Sequence, residues 1–504
     1  MIAPLFLLFV PPLIQGFVCH ESFLRPIRLQ KSVPTKLHTS SASPRVKTTA
    51  SDGGSNPQYR QHNSTLAPNS KQLQQYQSEA APIASSFQPT TFQPVPLLSN
   101  CHIQTMAGFF LRNTNECAYF RDVPSLFKGL ANSILGMQNT VKQDDSAWYY
   151  DERERVVTPS GGAFFSVDHK YASATASPPR GTVIIVHGLE SNSNSTLCID
   201  MSEAFHRRNY DVAVINFRGC CGTNVSALYE DGTLVKNGEN SLIYHLGFVD
   251  DLIYYLSLLA ERARDNENKR IFLSGFSLGA NVILKALGQM GASAVDKYGI
   301  VGAAVAGAPF DLEQNYKQFH NDPISRLVYV NSLLRKLKQK AHEILTVQYD
   351  GDISAAGFDY LSSIEATTIY EIENACVAPL FGFYNFLDYY RKTSCGYYLE
   401  RICVPTYIVN ARDDPFINSL FVPWDKVYGQ ESGQDVDGGG APIKIVMTEN
   451  GGHLGYIFHQ VDSEWKGVKA SWISEELASF VDHTNTKIHL KKEATNVVTG
   501  MPIL

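Results

Sequence analysis

The sequence RIFLSGFSLGA at residues 270–280 decides the predicted fold. Its first half, residues 270–275, is a short apolar run typical of a buried strand, and residues 278–290 are typical of a helix. Between them, GFSLG at residues 275–279 matches G-x-S-x-G, a pattern whose glycines allow a sharp turn that projects the serine hydroxyl from the carboxyl edge of a sheet. The pattern alone arises often by chance, but its place between a strand and a helix predicts that Ser277 is a nucleophile.

The same strand signal recurs along the chain. Five further runs have the length and apolar content of strands: residues 182–187, 211–217, 300–306, 405–410 and 443–447. Helical stretches such as residues 247–264 alternate with them, which is typical of a parallel sheet covered by helices. Residues 310–398 interrupt this alternation with mixed aromatic and charged residues. We predict an α/β-hydrolase fold, in which helices flank a mostly parallel, twisted sheet and a helical cap is inserted at about residues 310–398.

A serine hydroxyl is a poor nucleophile at neutral pH, so the chain should also supply a base held by a carboxylate. The strand predicted at residues 443–447 leads into the glycine-rich loop NGGHLG at residues 450–455, which contains His453. A histidine in such a loop after the last strand is well placed to reach the serine. We therefore predict that His453 is the general base. His459 is the alternative, but it lies further into the following segment.

The acid is expected in the loop after the preceding strand, because the fold places its residues in the order serine, aspartate, histidine. The strand predicted at residues 405–410 leads directly into ARDDPF at residues 411–416, which offers two carboxylates. We favour Asp414 over Asp413, because the hydrophobic segment PFI begins immediately after it. Asp413 is then expected to shape the turn.

Two backbone N–H groups should stabilise the negative charge of the tetrahedral intermediate. One is expected from Leu278, directly after the nucleophile, and the other from Leu189, where Gly188 permits a sharp turn after the first parallel strand. His206 and Asp211 form H-x-x-x-x-D, a spacing associated with acyltransferases. Because they fall at the end of a helix and the start of the next strand, we interpret them as structural.

Composition limits the partners and cofactors. The 504 residues carry a net charge of -6 with 18% charged residues, and no basic patch of the kind that nucleic acid binding requires is visible. The expected substrate is therefore neutral or apolar. The 9 cysteines form no C-x-x-C pair and show no zinc-ligand spacing, so the sequence indicates neither a metal nor a cofactor.

The amino-terminal part has the composition of targeting and linker sequence. Residues 1–18 form an apolar, signal-like leader, and residues 19–89 are basic and transit-like at first, then rich in Ser, Gln, Asn and Pro, which predicts a disordered linker. This combination indicates the endomembrane system or a plastid, and membrane anchoring through the amino terminus is the alternative. We expect the hydrolase domain at residues 90–484 and a tail at residues 485–504.

Several separated motifs, taken in order, are similar to one branch of this superfamily, the YheT-like α/β-hydrolase domain esterases (family 4). They lie within residues 96–480, at 98–105, 187–190, 216–220, 244–247, 378–383, 388–390, 410–416 and 451–455. The resemblance implies short-chain carboxylesterase or monoacylglycerol lipase activity, with the triad at Ser277, Asp414 and His453. The sequence departs from the family at Cys101, Val249 and Ala280, which bears on substrate detail more than on catalysis.

The leading hypothesis is therefore a serine hydrolase that cleaves carboxylic esters of acyl chains, with a small acyl ester or monoacylglycerol as substrate. Six aromatic residues of the predicted cap could line an acyl pocket or could simply pack within the cap: Phe381, Phe383, Tyr384, Phe386, Tyr389 and Tyr390. A catalytically silent lipid-binding or scaffold protein is the alternative on the same fold. Acyl transfer and peptidase chemistry would use the same acyl-enzyme.

Overall fold

The computed structural model describes residues 70–95, 99–111, 149–159, 163–172, 178–220, 243–262, 270–427, 440–461, 466–469 and 471–499. All of them belong to one of two compact units, which comprises residues 67–118 and 135–504. The other unit, residues 1–66 and 119–134, lies outside the described residues. The predicted leader and the first part of the predicted linker therefore also lie outside them.

An eight-stranded sheet forms the centre of the described part of the chain. Its strands are β1 (Glu152–Val157), β2 (Phe164–Lys170), β3 (Thr182–Val186), β4 (Asp211–Asn216), β5 (Ile271–Phe276), β6 (Ile300–Ala306), β7 (Thr406–Ala411) and β8 (Ile443–Thr448). The spatial order is β1-β2-β4-β3-β5-β6-β7-β8; β2 pairs antiparallel with β1 and β4, and the other neighbouring strands pair parallel. A separate antiparallel pair joins β9 (Phe458–Val461) to β10 (Lys466–Lys469). This topology confirms the predicted fold class.

Helices cover both faces of the sheet. The described α-helices of four or more residues are α1 (Ser70–Ser86), α2 (Cys101–Leu111), α3 (Thr196–His206), α4 (Asp250–Arg262), α5 (Leu278–Met290), α6 (Ser293–Asp296), α7 (Leu312–Asn321), α8 (Asn331–Gln348), α9 (Tyr360–Glu365), α10 (Ile369–Ile372), α11 (Phe386–Thr393) and α12 (Trp472–Thr499). Short helical turns occupy Pro323–Ser325, Arg326–Val330, Glu373–Val377, Ala378–Leu380, Cys395–Tyr397, Leu399–Arg401, Ser419–Phe421 and Trp424–Lys426. No described helix is long and apolar enough to cross a membrane.

The parallel strands are apolar throughout because both of their faces are buried. In β3, Ile184 and Val186 contribute to the core beneath α4 and α5, whereas Val183 and Ile185 contribute to the core beneath α3 and α12. Successive side chains of a strand point to opposite faces, so a continuous apolar run supplies both cores. The edge strand β1 has the sequence ERERVV and is largely exposed, which is why its charged residues gave no strand signal.

The segment between β6 and β7 is helical, with α7 to α11 packed around an apolar core of its own that includes Ile344 and Tyr389. This segment is the inserted cap. Two domain boundaries differ from the prediction. Residue 484 falls inside α12, where Thr484 and Asn485 are both buried, so the helix continues into the predicted tail.

The predicted disordered linker was wrong in its last part, because α1 occupies residues 70–86. Its buried face consists of Ala80, Ala81 and Ala84, and the side chain of Phe87 follows into the core. Small residues let a helix approach closely without a strong apolar pattern, so a Ser- and Gln-rich composition concealed the packing face. The folded body therefore begins about twenty residues earlier than predicted.

Candidate active site

The predicted nucleophile lies at a sharp turn between β5 and α5. Ser277 has φ 55° and ψ −121°, and its amide donates a hydrogen bond to the carbonyl oxygen of Ala306 at 2.9 Å. A positive φ is strained for a residue with a Cβ and persists only where its surroundings impose it. Gly279 provides the space, since a Cβ there would lie 2.0 Å from the carbonyl oxygen of Val186. The local sequence thus holds the half-buried serine in a strained conformation.

The three side chains predicted to act together form one hydrogen-bonded chain. His453 Nε2 lies 3.0 Å from Ser277 Oγ, and His453 Nδ1 lies 2.8 Å from Asp414 Oδ2. The loops after β5, β7 and β8 bring them together, because parallel strands end at the same edge of the sheet. The ring of Phe416 contacts the imidazole edge to face, with centroids 4.4 Å apart. This arrangement can transfer a proton from the hydroxyl to the imidazole.

The two candidate acids have different surroundings. Asp414 is buried, and its Oδ1 accepts hydrogen bonds from the amides of Phe416 at 2.7 Å and Ile417 at 3.2 Å, which leaves Oδ2 for the histidine. Asp413 instead accepts a hydrogen bond from the amide of Gly452 at 2.9 Å, and burial raises the pKa of its carboxyl group. Asp413 therefore contacts the histidine loop, whereas the prediction gave it a role in its own turn. His459, the alternative base, lies in β9 beyond that loop.

Residues of α2 whose individual roles were not predicted from the sequence support the histidine loop. The amide of His453 donates to Thr105 Oγ1 at 2.8 Å, and Thr105 Oγ1 donates to the carbonyl oxygen of Cys101, also at 2.8 Å. Gln104 Oε1 accepts from the amide of Ile457 at 2.7 Å. A Cβ at Gly455 would lie 2.1 Å from the carbonyl oxygen of Gln104. These residues of α2 lie in the motif at residues 98–105, which is one of the motifs that resemble the family. The sequence alone did not predict that the motif supports the histidine loop.

The two residues predicted to supply oxyanion donors lie at the same sheet edge as Ser277. Val186 pairs with Gly275 in register, so β3 and β5 end side by side. Leu278 is the first residue of α5, where backbone N–H groups point out of the helix end. Leu189 lies in the loop that follows β3. The structure therefore places Leu189 in the loop after β3 and Leu278 at the start of α5, the two positions that the prediction requires.

The loop after β3 has a buried histidine at its base. The amide of Phe217 donates to His187 Nε2 at 3.2 Å, so the proton of the neutral ring lies on Nδ1, which donates to the carbonyl oxygen of Gly188 at 2.7 Å. Burial lowers the pKa of His187 to about 4. The ring is therefore neutral at pH 7 and holds the start of the loop in one hydrogen-bonded arrangement.

The same loop carries a buried ion pair. Lys340 Nζ of α8 donates to Glu190 Oε1 at 2.7 Å, and the two side chains are 8% and 15% exposed. Burial alone would raise the pKa of Glu190, but the charge and hydrogen bond of Lys340 and the hydroxyl of Tyr244 hold that pKa below its ordinary value. Burial likewise opposes the charge of Lys340, whose pKa the glutamate nevertheless raises. Both groups are therefore charged at neutral pH.

Five of the six cap aromatic residues considered for an acyl pocket, all except Tyr384, pack against other side chains of the cap or against His245. Tyr389 and Tyr390 are buried in the cap core, and the rings of Phe381 and Phe383 contact His245 edge to face at 4.7 and 5.4 Å. These contacts favour packing over an acyl-pocket lining. Tyr384, by contrast, is 91% exposed.

His206 and Asp211 have the structural role that was expected. His206 Nε2 hydrogen-bonds the carbonyl oxygen of Tyr171 at 3.1 Å, and Asp211 accepts from the amide of Ala172 at 2.9 Å. Asp211 begins β4, at the opposite edge of the sheet from Ser277. Within the part of the chain that the structure describes, no group of three His, Cys, Asp or Glu residues could hold a metal ion.

Comparison with known proteins identifies relatives over most of this body. Residues 177–420 match the hydrolase family described as serine aminopeptidase, S33. YheT of Escherichia coli, named as an esterase, is 26% identical over 366 residues, which cover 73% of this chain and 87% of that protein. Monoacylglycerol lipase of Saccharomyces cerevisiae is 24% identical over 381 residues, which cover 73% of this chain and 77% of the relative. An abhydrolase domain-containing protein of Dictyostelium discoideum is 24% identical over 334 residues, 66% of this chain and 75% of its own.

The described part of the chain has the α/β-hydrolase fold, and its resemblance to the YheT-like esterases is confirmed. At the level of reaction class it is a carboxylic ester hydrolase.

Proposed function

We propose that Ser277, His453 and Asp414 form a catalytic triad that cleaves carboxylic esters of acyl chains through an acyl-enzyme. The observation that carries the proposal is the continuous hydrogen-bonded chain from the strained serine through the imidazole to the buried carboxylate. A catalytically silent lipid-binding or scaffold relative would not need this arrangement, since loss of any one member abolishes the unit.

In the proposed mechanism His453 Nε2 accepts the proton of Ser277 Oγ as the oxygen attacks the ester carbonyl carbon. The carbonyl oxygen becomes an oxyanion, which the N–H groups of Leu189 and Leu278 stabilise. The imidazolium then gives its proton to the departing alcohol and leaves an acyl group on Ser277. Water repeats the sequence, and the carboxylic acid is released. Asp414 orients the ring throughout and stabilises its positive charge.

We propose neutral acyl esters as the substrates, either short-chain esters or monoacylglycerols. This choice is supported by the names of the relatives, an esterase and a monoacylglycerol lipase. Each buried methylene adds about 0.8 kcal/mol of transfer free energy, so kcat/KM should rise with acyl length until the pocket is filled.

The test uses the purified protein and a Ser277→Ala variant. We expect wild-type protein to react with a fluorophosphonate probe and to hydrolyse p-nitrophenyl esters and monoacylglycerols in preference to lysophospholipids and acyl-CoA. The variant should do neither while remaining folded. Because the matched family is described as a serine aminopeptidase, the panel includes an aminoacyl p-nitroanilide. Faster cleavage of the anilide, or a preference for charged head groups, would contradict the neutral-ester proposal and leave the serine mechanism standing.

We also propose that residues 1–50 act as a targeting segment for the endomembrane system or a plastid. The proposal is supported by their composition, an apolar leader followed by a basic stretch rich in Ser and Thr. Fusion of residues 1–50 to a fluorescent reporter should direct it to one of these compartments, and a membrane-anchored reporter would support the anchor alternative. Uniform cytosolic fluorescence would contradict both.

A further inference from the structure

The ion pair between Lys340 and Glu190 joins the cap to the loop that carries a proposed oxyanion donor. Lys340 lies on α8 of the cap, and Glu190 directly follows Leu189, whose N–H is the proposed donor. Glu190 has φ 52°, a left-handed conformation that a glutamate adopts only when its surroundings hold it there. The contact that holds this side chain comes from a different layer of the protein, 150 residues further along the chain.

Tyr244 also binds Glu190, through both the backbone and the side chain of that residue. Its hydroxyl accepts a hydrogen bond from the amide of Glu190 at 2.8 Å and donates one to Glu190 Oε1 at 2.9 Å. Its ring lies 5.0 Å from Lys340 Nζ and stacks on Phe217 with centroids 4.6 Å apart. The backbone and the carboxylate of Glu190 are therefore fixed together, and the position of its carboxylate determines the direction of the loop just after Leu189.

A small cavity separates this loop from the cap. The cavity has a volume of about 30 Å³, and its lining includes Leu189, Glu190, Tyr244, Lys340 and the buried cap residue Glu373. Such a volume can hold water but not an acyl chain. At this cavity the ion pair between Glu190 and Lys340 joins the loop to α8. Removal of one charge from a buried ion pair leaves the other charge buried without its partner, which is strongly destabilising. The conformation of the loop at Glu190 therefore depends on Lys340.

We propose that Lys340 is a positioning residue that couples the docked cap to the oxyanion hole, by holding Glu190 and thereby the N–H of Leu189 where the substrate oxyanion forms. This inference rests on the proposed ester hydrolysis at Ser277. It means that a cap displaced from the body withdraws the ammonium group from Glu190 and leaves the hole incomplete, so that full activity requires the docked cap.

The test compares Lys340→Met with Lys340→Arg, which keeps the charge, and with Lys338→Met on the same helix, for which the described residues show no ion pair. Loss of one oxyanion donor lowers kcat by about 100- to 1000-fold, so a misplaced donor should lower it by about 10- to 100-fold. We expect that fall for Lys340→Met with a smaller change in KM, partial recovery for Lys340→Arg, and wild-type rates for Lys338→Met.

Two further readouts separate positioning from general loss of structure. Sulfur accepts hydrogen bonds poorly, so Lys340→Met should reduce the preference for a p-nitrophenyl ester over the matching thionoester, whereas loss of folded protein would lower both rates equally. Hydrogen exchange should increase at residues 187–195 and stay unchanged at residues 271–290, whether or not the protein has esterase activity. Tyr244→Phe, which keeps the ion pair, should give intermediate effects and serves if Lys340→Met fails to fold.

The outcomes distinguish the inference from the proposed function. Unchanged loop exchange together with an unchanged ratio of ester to thionoester rates would overturn the positioning role, even if Ser277→Ala abolishes activity. Increased loop exchange in a protein that hydrolyses no ester would support the coupling of the cap to the loop and contradict ester hydrolysis.

Discussion

The support of His453, the proposed general base, by α2 gives a quantitative prediction for Thr105→Val, which keeps the shape of the side chain and removes its hydroxyl. Thr105 is 1% exposed and accepts the amide hydrogen of His453 at 2.8 Å. Without the hydroxyl this amide loses its partner in a buried site, at a cost of about 1–3 kcal/mol. Taking 2 kcal/mol, the melting temperature of a folded body of this size should fall by about 3 °C. Displacement of the imidazole should lower kcat by about 10- to 100-fold.

The matched control is Thr346→Val on α8. Thr346 makes the same hydroxyl bond to the carbonyl four residues earlier, also at 2.8 Å, but it is exposed and no described residue donates to it. It should change the free energy of unfolding by less than about 0.5 kcal/mol and leave kcat unchanged. Thr105→Ser should restore most of the activity. Thermal unfolding and p-nitrophenyl ester kinetics measure both effects, and a Thr105→Val protein with wild-type stability and kcat would refute the reasoning.

Three further predictions concern the acid, the amino-terminal helix and pH. Asp414→Asn should lower kcat by about 10⁴-fold and Asp413→Asn much less, and steady-state kinetics in the reverse order would exchange their roles. The ring of Phe87 contacts two aromatic rings of the core at 5.1 Å, so Phe87→Ala should lower the free energy of unfolding by about 3–5 kcal/mol. Removal of all residues before 90 should lower the melting temperature as well. An unchanged melting temperature would contradict the packing of α1. Burial lowers the pKa of His187 from an ordinary 6.5 to about 4, so as the pH falls the unfolded state binds a proton before the folded state does. The free energy of unfolding should therefore decrease by up to about 3 kcal/mol between pH 6.5 and 4. Urea unfolding should show a smaller decrease for His187→Gln.

The sheet could be predicted because its parallel strands are buried on both faces, and such strands show as continuous apolar runs. The boundaries of the strand predicted at residues 300–306 match those of β6, and the strand predicted at residues 443–447 lacks only Thr448 of β8. Residues at the ends of those strands meet at one edge, so the order of Ser277, Asp414 and His453 was enough to predict that they meet.

Contacts between distant segments could not be predicted in the same way. Glu190 and Lys340 are each unremarkable in their local sequence, and only the docking of the cap brings them together. Thr105 reaches His453 across a separation of 348 residues. The helix α1 was missed for a different reason, since its packing face is made of alanines within a polar composition. Periodicity detects large apolar faces and misses close approach by small residues.

The central claim, that Ser277 carries the acyl group, can be tested by mass spectrometry of the protein quenched with acid during turnover of a p-nitrophenyl ester. His453→Ala, which removes the proposed base for deacylation, serves as the control and should accumulate little acyl-enzyme because acylation needs the same base. If this claim holds, we expect a mass increase of one acyl group on the wild-type peptide that contains Ser277, and none in Ser277→Ala. Acylation at another residue, or turnover by Ser277→Ala at the wild-type rate, would contradict it.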